Sequence, residues 1–148
     1  MKIGIGIIMG WVRDAAVALV AGLALCAAIV VVFWVTDNRP PVRLIAPPEM
    51  LTPRVKAGTS ATVHWRMLKV RDCDGTVDRA ILGGGRTVHL PHDRPIPIQG
   101  QIEYVVDFMV PRYLSPGRYE YRAIHRYECN PLHSIVVELP GVEFEIVE

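Results

Sequence analysis

Gln101-Ile102-Glu103-Tyr104-Val105-Val106-Asp107-Phe108-Met109-Val110 decides the fold class, because Ile102, Tyr104, Val106, Phe108 and Val110 alternate against Gln101, Glu103 and Asp107. Successive side chains of a strand point to opposite faces, so this period of two marks a half-buried β-strand. The pattern recurs on both sides. Ala61, Val63, Trp65 and Met67 oppose Thr62, His64 and Arg66, and Tyr119, Tyr121, Ala123, His125, Tyr127 and Cys129 oppose Glu120, Arg122, Arg126 and Glu128. One broken strand near Val42–Ala46 and Leu51–Val55, and shorter runs at Val77–Leu82, Arg86–Leu90, Ile135–Leu139 and Val142–Val147, also read as strands. Turn signals separate them: Lys56-Ala57-Gly58, Asp72-Cys73-Asp74-Gly75, Gly83-Gly84-Gly85, Ser115-Pro116-Gly117 and Pro140-Gly141. Pro91–Gly100 reads as a Pro-rich crossing. Roughly seven or eight short strands at this spacing predict a mainly β domain, an antiparallel immunoglobulin-like β-sandwich, with a jelly roll or small barrel as the other solution.

Upstream the chain is a different material. From Ala15 to Val35 it runs for 21 residues without a charge. At about 1.5 Å per residue such a helix matches a hydrocarbon core of about 30 Å. Trp11 and Trp34 bracket the run where indole rings settle, at the two membrane interfaces. Lys2 and Arg13 resemble the start of a secretory signal, but the apolar run exceeds the usual length and ends in Val-Val-Phe-Trp-Val, without small residues for cleavage. Cys26 follows Leu25 where a lipoprotein signal needs a small residue, so it reads as a thiol within the helix. The expected plan is a short cytoplasmic N-terminus over residues 1–14, a transmembrane helix over 15–35, a Pro-rich stalk with a first edge strand over 36–50, and the sandwich over 51–148.

The flanking charges do not orient the span, since Lys2 and Arg13 on one side face Arg39, Arg43 and Arg54 on the other. The cysteines do. In an immunoglobulin-like order Cys73 and Cys129 fall at the ends of strands in opposite sheets that run the same way, so they meet at one pole and predict a disulfide. Disulfides persist outside the reducing cytosol. The domain is therefore expected in the periplasm, with the N-terminus cytoplasmic. Tyr127, two residues before Cys129, has the spacing of a tyrosine corner.

With a net charge of +1 and 21% charged residues, the charge balance of the 148-residue chain implies neither a nucleic-acid surface nor an acidic substrate. His125, Cys129 and His133 are spaced H-x3-C-x3-H, yet the close ligand pairs typical of zinc are missing, and a metal would compete with the disulfide for Cys129. His125 reads as a hydrogen-bonded core residue and His133 as a loop residue. Ser60, Ser115 and Ser134 lie in no nucleophile elbow, and the glycine triplet lacks the Lys-Ser/Thr of a phosphate loop. These residues point to no enzyme, cofactor or metal. The alternative kept open is a periplasmic metal-binding or hydrolytic domain built on His125 and His133. Recognition residues concentrate on loops held by a rigid scaffold. Asp72, Asp74, Asn130, Pro131 and His133, at the disulfide pole, are accordingly the candidate binding loops.

The junction Phe33-Trp34-Val35-Thr36-Asp37-Asn38-Arg39-Pro40-Pro41-Val42, the Leu51-Thr52-Pro53 stretch and Cys129-Asn130-Pro131-Leu132-His133 resemble small membrane proteins encoded by bacteriophages and prophages of Gram-negative bacteria. The resemblance implies a phage-derived inner-membrane protein with a periplasmic domain. The expected function is a non-enzymatic interaction module whose partners are the lipid bilayer and another protein, acting in entry, assembly or superinfection exclusion. A lysis accessory role is a further alternative. It carries over no active residues.

Overall fold

The computed structural model describes residues 3–95 and 98–148, with side chains described from Trp11 onward in the N-terminal helix. Lys2, one of the flanking charges, and Ile96-Pro97 of the Pro-rich crossing lie outside the described residues. The chain divides into two units, the second beginning at Arg39.

The first unit is one helix, α1 (Ile3–Thr36), which from Trp11 onward is long and apolar enough to cross a membrane and buries none of that span in the protein. It begins well before the expected Ala15. The earlier start has a simple cause: residues 3–12 are themselves apolar, and Arg13 and Asp14 pair at 3.4 Å, so neither charge stands alone to break the run. Residues 1–14, expected as a short tail, are helical from Ile3. Trp11 and Trp34 lie 23 positions apart on this helix, a rise of about 35 Å. The Thr36 hydroxyl donates to Val32 O at 2.8 Å at the last turn, before Pro40-Pro41.

The second unit is built of two sheets. In the first, β4 (Ser60–Lys69) is the central strand and β7 (Gly100–Met109) pairs with it over ten antiparallel positions. Its other side carries β1 (Val42–Leu44) and β2 (Glu49–Met50), one broken edge interrupted by Pro47-Pro48. The chain then passes through Thr52-Pro53 to the second sheet, where β3 (Arg54–Lys56) runs parallel to β10 (Val142–Val147). The expected strand Leu51–Val55 is thus divided between sheets, because Pro53 has no N–H to continue a ladder. The second sheet is centred on β8 (Gly117–Asn130), flanked on one side by β10 and β9 (His133–Glu138) and on the other by β5 (Asp74–Gly83), with β6 (Arg86–His89) beyond. Gly84 and Gly85, at φ +57° and +71°, make the two-residue turn between β5 and β6. Both torsions fit a primed hairpin turn, which glycine enters at little cost.

The core lies between the sheets. Ala61, Val63 and Trp65 are at most 1% exposed on β4, and Phe108 of β7 stacks on Tyr121 of β8 with ring centroids 4.5 Å apart. Phe144 of β10 meets Phe108 edge-on at 5.9 Å. Apart from Phe144, whose strand was read without assigning its faces, these are the residues that the alternation placed inward.

Candidate functional site

Two regions hold the chemistry-bearing side chains. The first is the end of β5 and β8. Asp74 pairs with Glu128 in the antiparallel register, so Cys73 and Cys129 face each other one position further along, and they form a disulfide with Cα atoms 4.7 Å apart. The expected bond exists, but its setting differs: it ties neighbouring strands of one sheet, not strands of opposite sheets. The reason is that Cys73 leads into β5 instead of ending the preceding strand. That Cα separation suits a cross-strand pair facing each other between ladder hydrogen bonds, near 4.5 Å.

The expected recognition loops do converge there, though much of their chemistry is spent locally. Asp72 pairs with the buried ammonium of Lys69 at 3.3 Å. The Asn130 side chain accepts from the N–H groups of Leu132 and His133 at 3.0 and 2.9 Å, which shapes the Pro131-Leu132 turn between β8 and β9. Asp74, Pro131 and Leu132 remain exposed, and His133 is half-buried.

His125 and His133 are not brought together. His125 is 3% exposed on the inward side of β8, whereas His133 pairs with Asn130 at the hairpin, five positions and roughly 16 Å further along. His125 Nδ1 meets the Tyr127 hydroxyl at 3.1 Å, as expected of a hydrogen-bonded core residue, and burial lowers its pKa from 6.5 to about 4. Among the described residues no group of His, Cys, Asp and Glu is placed to hold a metal. Tyr127 does not form the tyrosine corner, since its hydroxyl turns to His125. Tyr119, near the start of β8, donates its hydroxyl to Ser115 O at 2.9 Å.

The second region lies between β7 and β5, where a cavity of about 260 Å³ opens. Its floor includes Trp65, Tyr104, Tyr121 and His125, and its far wall Arg79, Asp93, Arg94 and Pro95. Arg79 shares the inward parity of Val77 and Ile81 on β5. Its guanidinium donates to Pro91 O at 3.2 and 2.9 Å and pairs with Asp93 at 3.4 Å. Asp93 in turn exchanges backbone hydrogen bonds with Val77, so the strap Pro91–Pro95 is fixed along β5. Burial pushes the Tyr121 phenol up to about 12, partly opposed by the Arg79 charge and hydrogen bond, and raises that of Tyr104 further. Both hydroxyls therefore stay protonated at neutral pH.

Sequence reading missed this cavity. Its one available signal was Arg79, a charge at an inward position of a strand between Val77 and Ile81, which requires a partner such as Asp93.

No family model matches the chain, and no curated protein matches it in sequence. Among solved structures it is similar to a Niemann-Pick type C2 protein from Japanese carpenter ant, at 13% identity and a TM-score of 0.48 over 69% of this chain and 90% of that one. It is also similar to part of an alkylpurine DNA glycosylase from Pseudomonas fluorescens, at 13% identity and 0.49, over 78% of this chain and 33% of that one. A third likeness, to a β-glucosidase from Erythrobacter marinus, has 11% identity and a score of 0.45, over 72% of this chain and 15% of that one. At such identities and scores the likenesses say nothing about function.

Proposed function

We propose that the protein is a membrane-anchored, non-enzymatic interaction module that presents an immunoglobulin-like sandwich to a partner protein on the extracytoplasmic side. The observation that carries this reading is the Cys73–Cys129 bond in the β domain that follows a helix of membrane-spanning length. Such a bond persists where thiols are not kept reduced, which favours the periplasm for the domain and the cytoplasm for the N-terminus.

The immunoglobulin-like reading is supported by strand order. The first strand is divided between both sheets, β4 pairs with β7, and β8 is central to the second sheet. The Tyr119 hydroxyl, bonded back to Ser115 O, makes the kind of backbone contact seen in a tyrosine corner, though ten residues before Cys129 instead of two. The disulfide departs from the antibody pattern, where it bridges the sheets.

The module reading is supported by what the reactive side chains do. His125 is neutral and bonded to Tyr127, Asp72 is engaged by Lys69, and Asn130 builds its own turn. The resemblance to phage and prophage membrane proteins suggests a partner in entry, assembly or superinfection exclusion.

The test is a pair of C-terminal reporter fusions, one active only in the cytoplasm and one only outside it, combined with thiol alkylation of the full chain. Activity outside, with Cys26 as the sole reactive thiol, is expected. Cytoplasmic activity with Cys73 and Cys129 free would overturn the reading.

A further inference from the structure

The edges of the two sheets are unequal. β1 and β2 are interrupted by Pro47-Pro48, β3 has three residues and follows Pro53, and β6 has four and runs into Pro91. β7 has ten residues with neither proline nor bulge, and among the described strands it pairs with β4 alone. Natural edges of that length are usually blunted by proline, lysine or a bulge.

The hydrogen-bond phase shows what this edge offers. Val110 N–H donates to Thr59 O, while Ile45 and Leu51 N–H donate to Arg66 O and Thr62 O from the other side of β4. Odd positions of β4 thus bond toward β7 and even ones away from it. Because Ala61 pairs with Phe108 and Val63 with Val106, even positions of β7 face β4. The N–H and C=O groups of Gln101, Glu103, Val105, Asp107 and Met109 therefore point to the free edge, and the side chains of these same residues are exposed on the outer face.

We propose that this edge takes an extended segment of a partner protein as an added strand, with Lys or Arg opposite Glu103 and Asp107 and an apolar residue opposite Val105. Charge complementarity carries the choice. Glu103 is shared with His64 at 2.9 Å and lies in register with Arg66, and Asp107 meets Thr62 at 2.7 Å, yet both carboxylates stand on the outer face beside the open ladder. Val105 between them is 53% exposed. Opposite charges and β-branched pairs across a ladder are mutually stabilising, and like charges are not. A second copy of this chain fits poorly, because the antiparallel register that overlaps the whole of β7 about Val105 sets Glu103 against Asp107 twice. Alternate side chains of the added strand would turn toward the cavity floored by Trp65, Tyr104 and Tyr121, beside Arg94. This inference rests on the module reading above and names its surface and partner chemistry.

The experiment titrates the full chain in detergent micelles with two synthetic peptides, one bearing Lys, Val and Lys at alternate positions and one bearing Glu, Val and Glu. Backbone amide exchange is followed. Saturable protection of the Gln101, Glu103, Val105, Asp107 and Met109 amides by the lysine peptide alone, weakening with salt, is expected. Replacing Glu103 and Asp107 by Lys should weaken that binding about tenfold. Val105→Pro, which blocks the edge while sparing the β4 ladder, should abolish it. Protection that grows with chain concentration in the absence of peptide, protection confined to the Asn130–His133 hairpin, or equal binding of both peptides overturns the edge assignment. The reporter and thiol results are independent of all three, so the module reading fails or stands separately.

Discussion

The two sheets differ in how they are held. The sheet centred on β8 carries the disulfide, the Tyr119–Ser115 contact, the His125–Tyr127 pair and the Arg79–Asp93 strap. Among the described residues the sheet centred on β4 has none of these ties, and no described strand pairs with the far side of β7. The β8 sheet is closed by a disulfide and by bonds into its flanking loops, whereas the β4 sheet is joined on its outer face by surface pairs such as His64–Glu103 and Thr62–Asp107, so the covalent fastening and the accessible edge fall on different sheets.

The strongest way to break this contrast is to replace Cys73 and Cys129 by Ala. Closing a loop with a sequence separation of 56 restricts the unfolded chain by roughly 4 kcal/mol. Denaturant unfolding of the double variant should show a loss of that order, and a loss under about 1 kcal/mol would place the fastening elsewhere. A second probe is pH. The folded pKa of His125, about 4, lies below the unfolded 6.5, so the unfolded chain binds the extra proton first. Stability is therefore unaffected by His125 above pH 6.5 and is lost progressively as pH falls to about 4, the loss reaching roughly 3 kcal/mol at the low end. His125→Gln should flatten that part of the pH–stability curve. Tyr119→Phe should cost about 1 kcal/mol by deleting one hydrogen bond, read from the thermal midpoint. Val105→Pro should change stability by less than about 0.5 kcal/mol, since its N–H serves no ladder. A large loss there would mean that the open edge is structural after all.

Most of the β domain was legible because its strands are one-sided: the alternation at Ala61–Met67, Ile102–Val110 and Tyr119–Cys129 is enforced by burial, and burial is written in residue type. The pairing of Cys73 with Cys129 was legible for the same reason, as two cysteines in a β domain. Which strands they join was not, because one residue of displacement at the Asp72–Gly75 turn decides whether Cys73 closes one strand or opens the next. Which tyrosine bonds back to the backbone was open to a similar ambiguity. Tyr119, Tyr121 and Tyr127 share one face, and only the position of Ser115 O selects among them. The cavity was hidden more thoroughly, since it depends on Arg79 meeting Asp93 and Pro91 across a hairpin, contacts that no local period encodes.

The disulfide has a consequence for the chain as a covalent object. Cys73 and Cys129 enclose the whole of β5, β6 and β7 and nearly all of β8 within one ring, closed through sulfur. Hydrolysis of any single peptide bond inside that ring opens it without releasing anything: β9 and β10 remain joined to the helix through the two sulfurs. A nicked molecule therefore migrates as one species until a reductant is added and as two afterwards, and a protease at the membrane surface must cut outside the ring to shed the C-terminal strands.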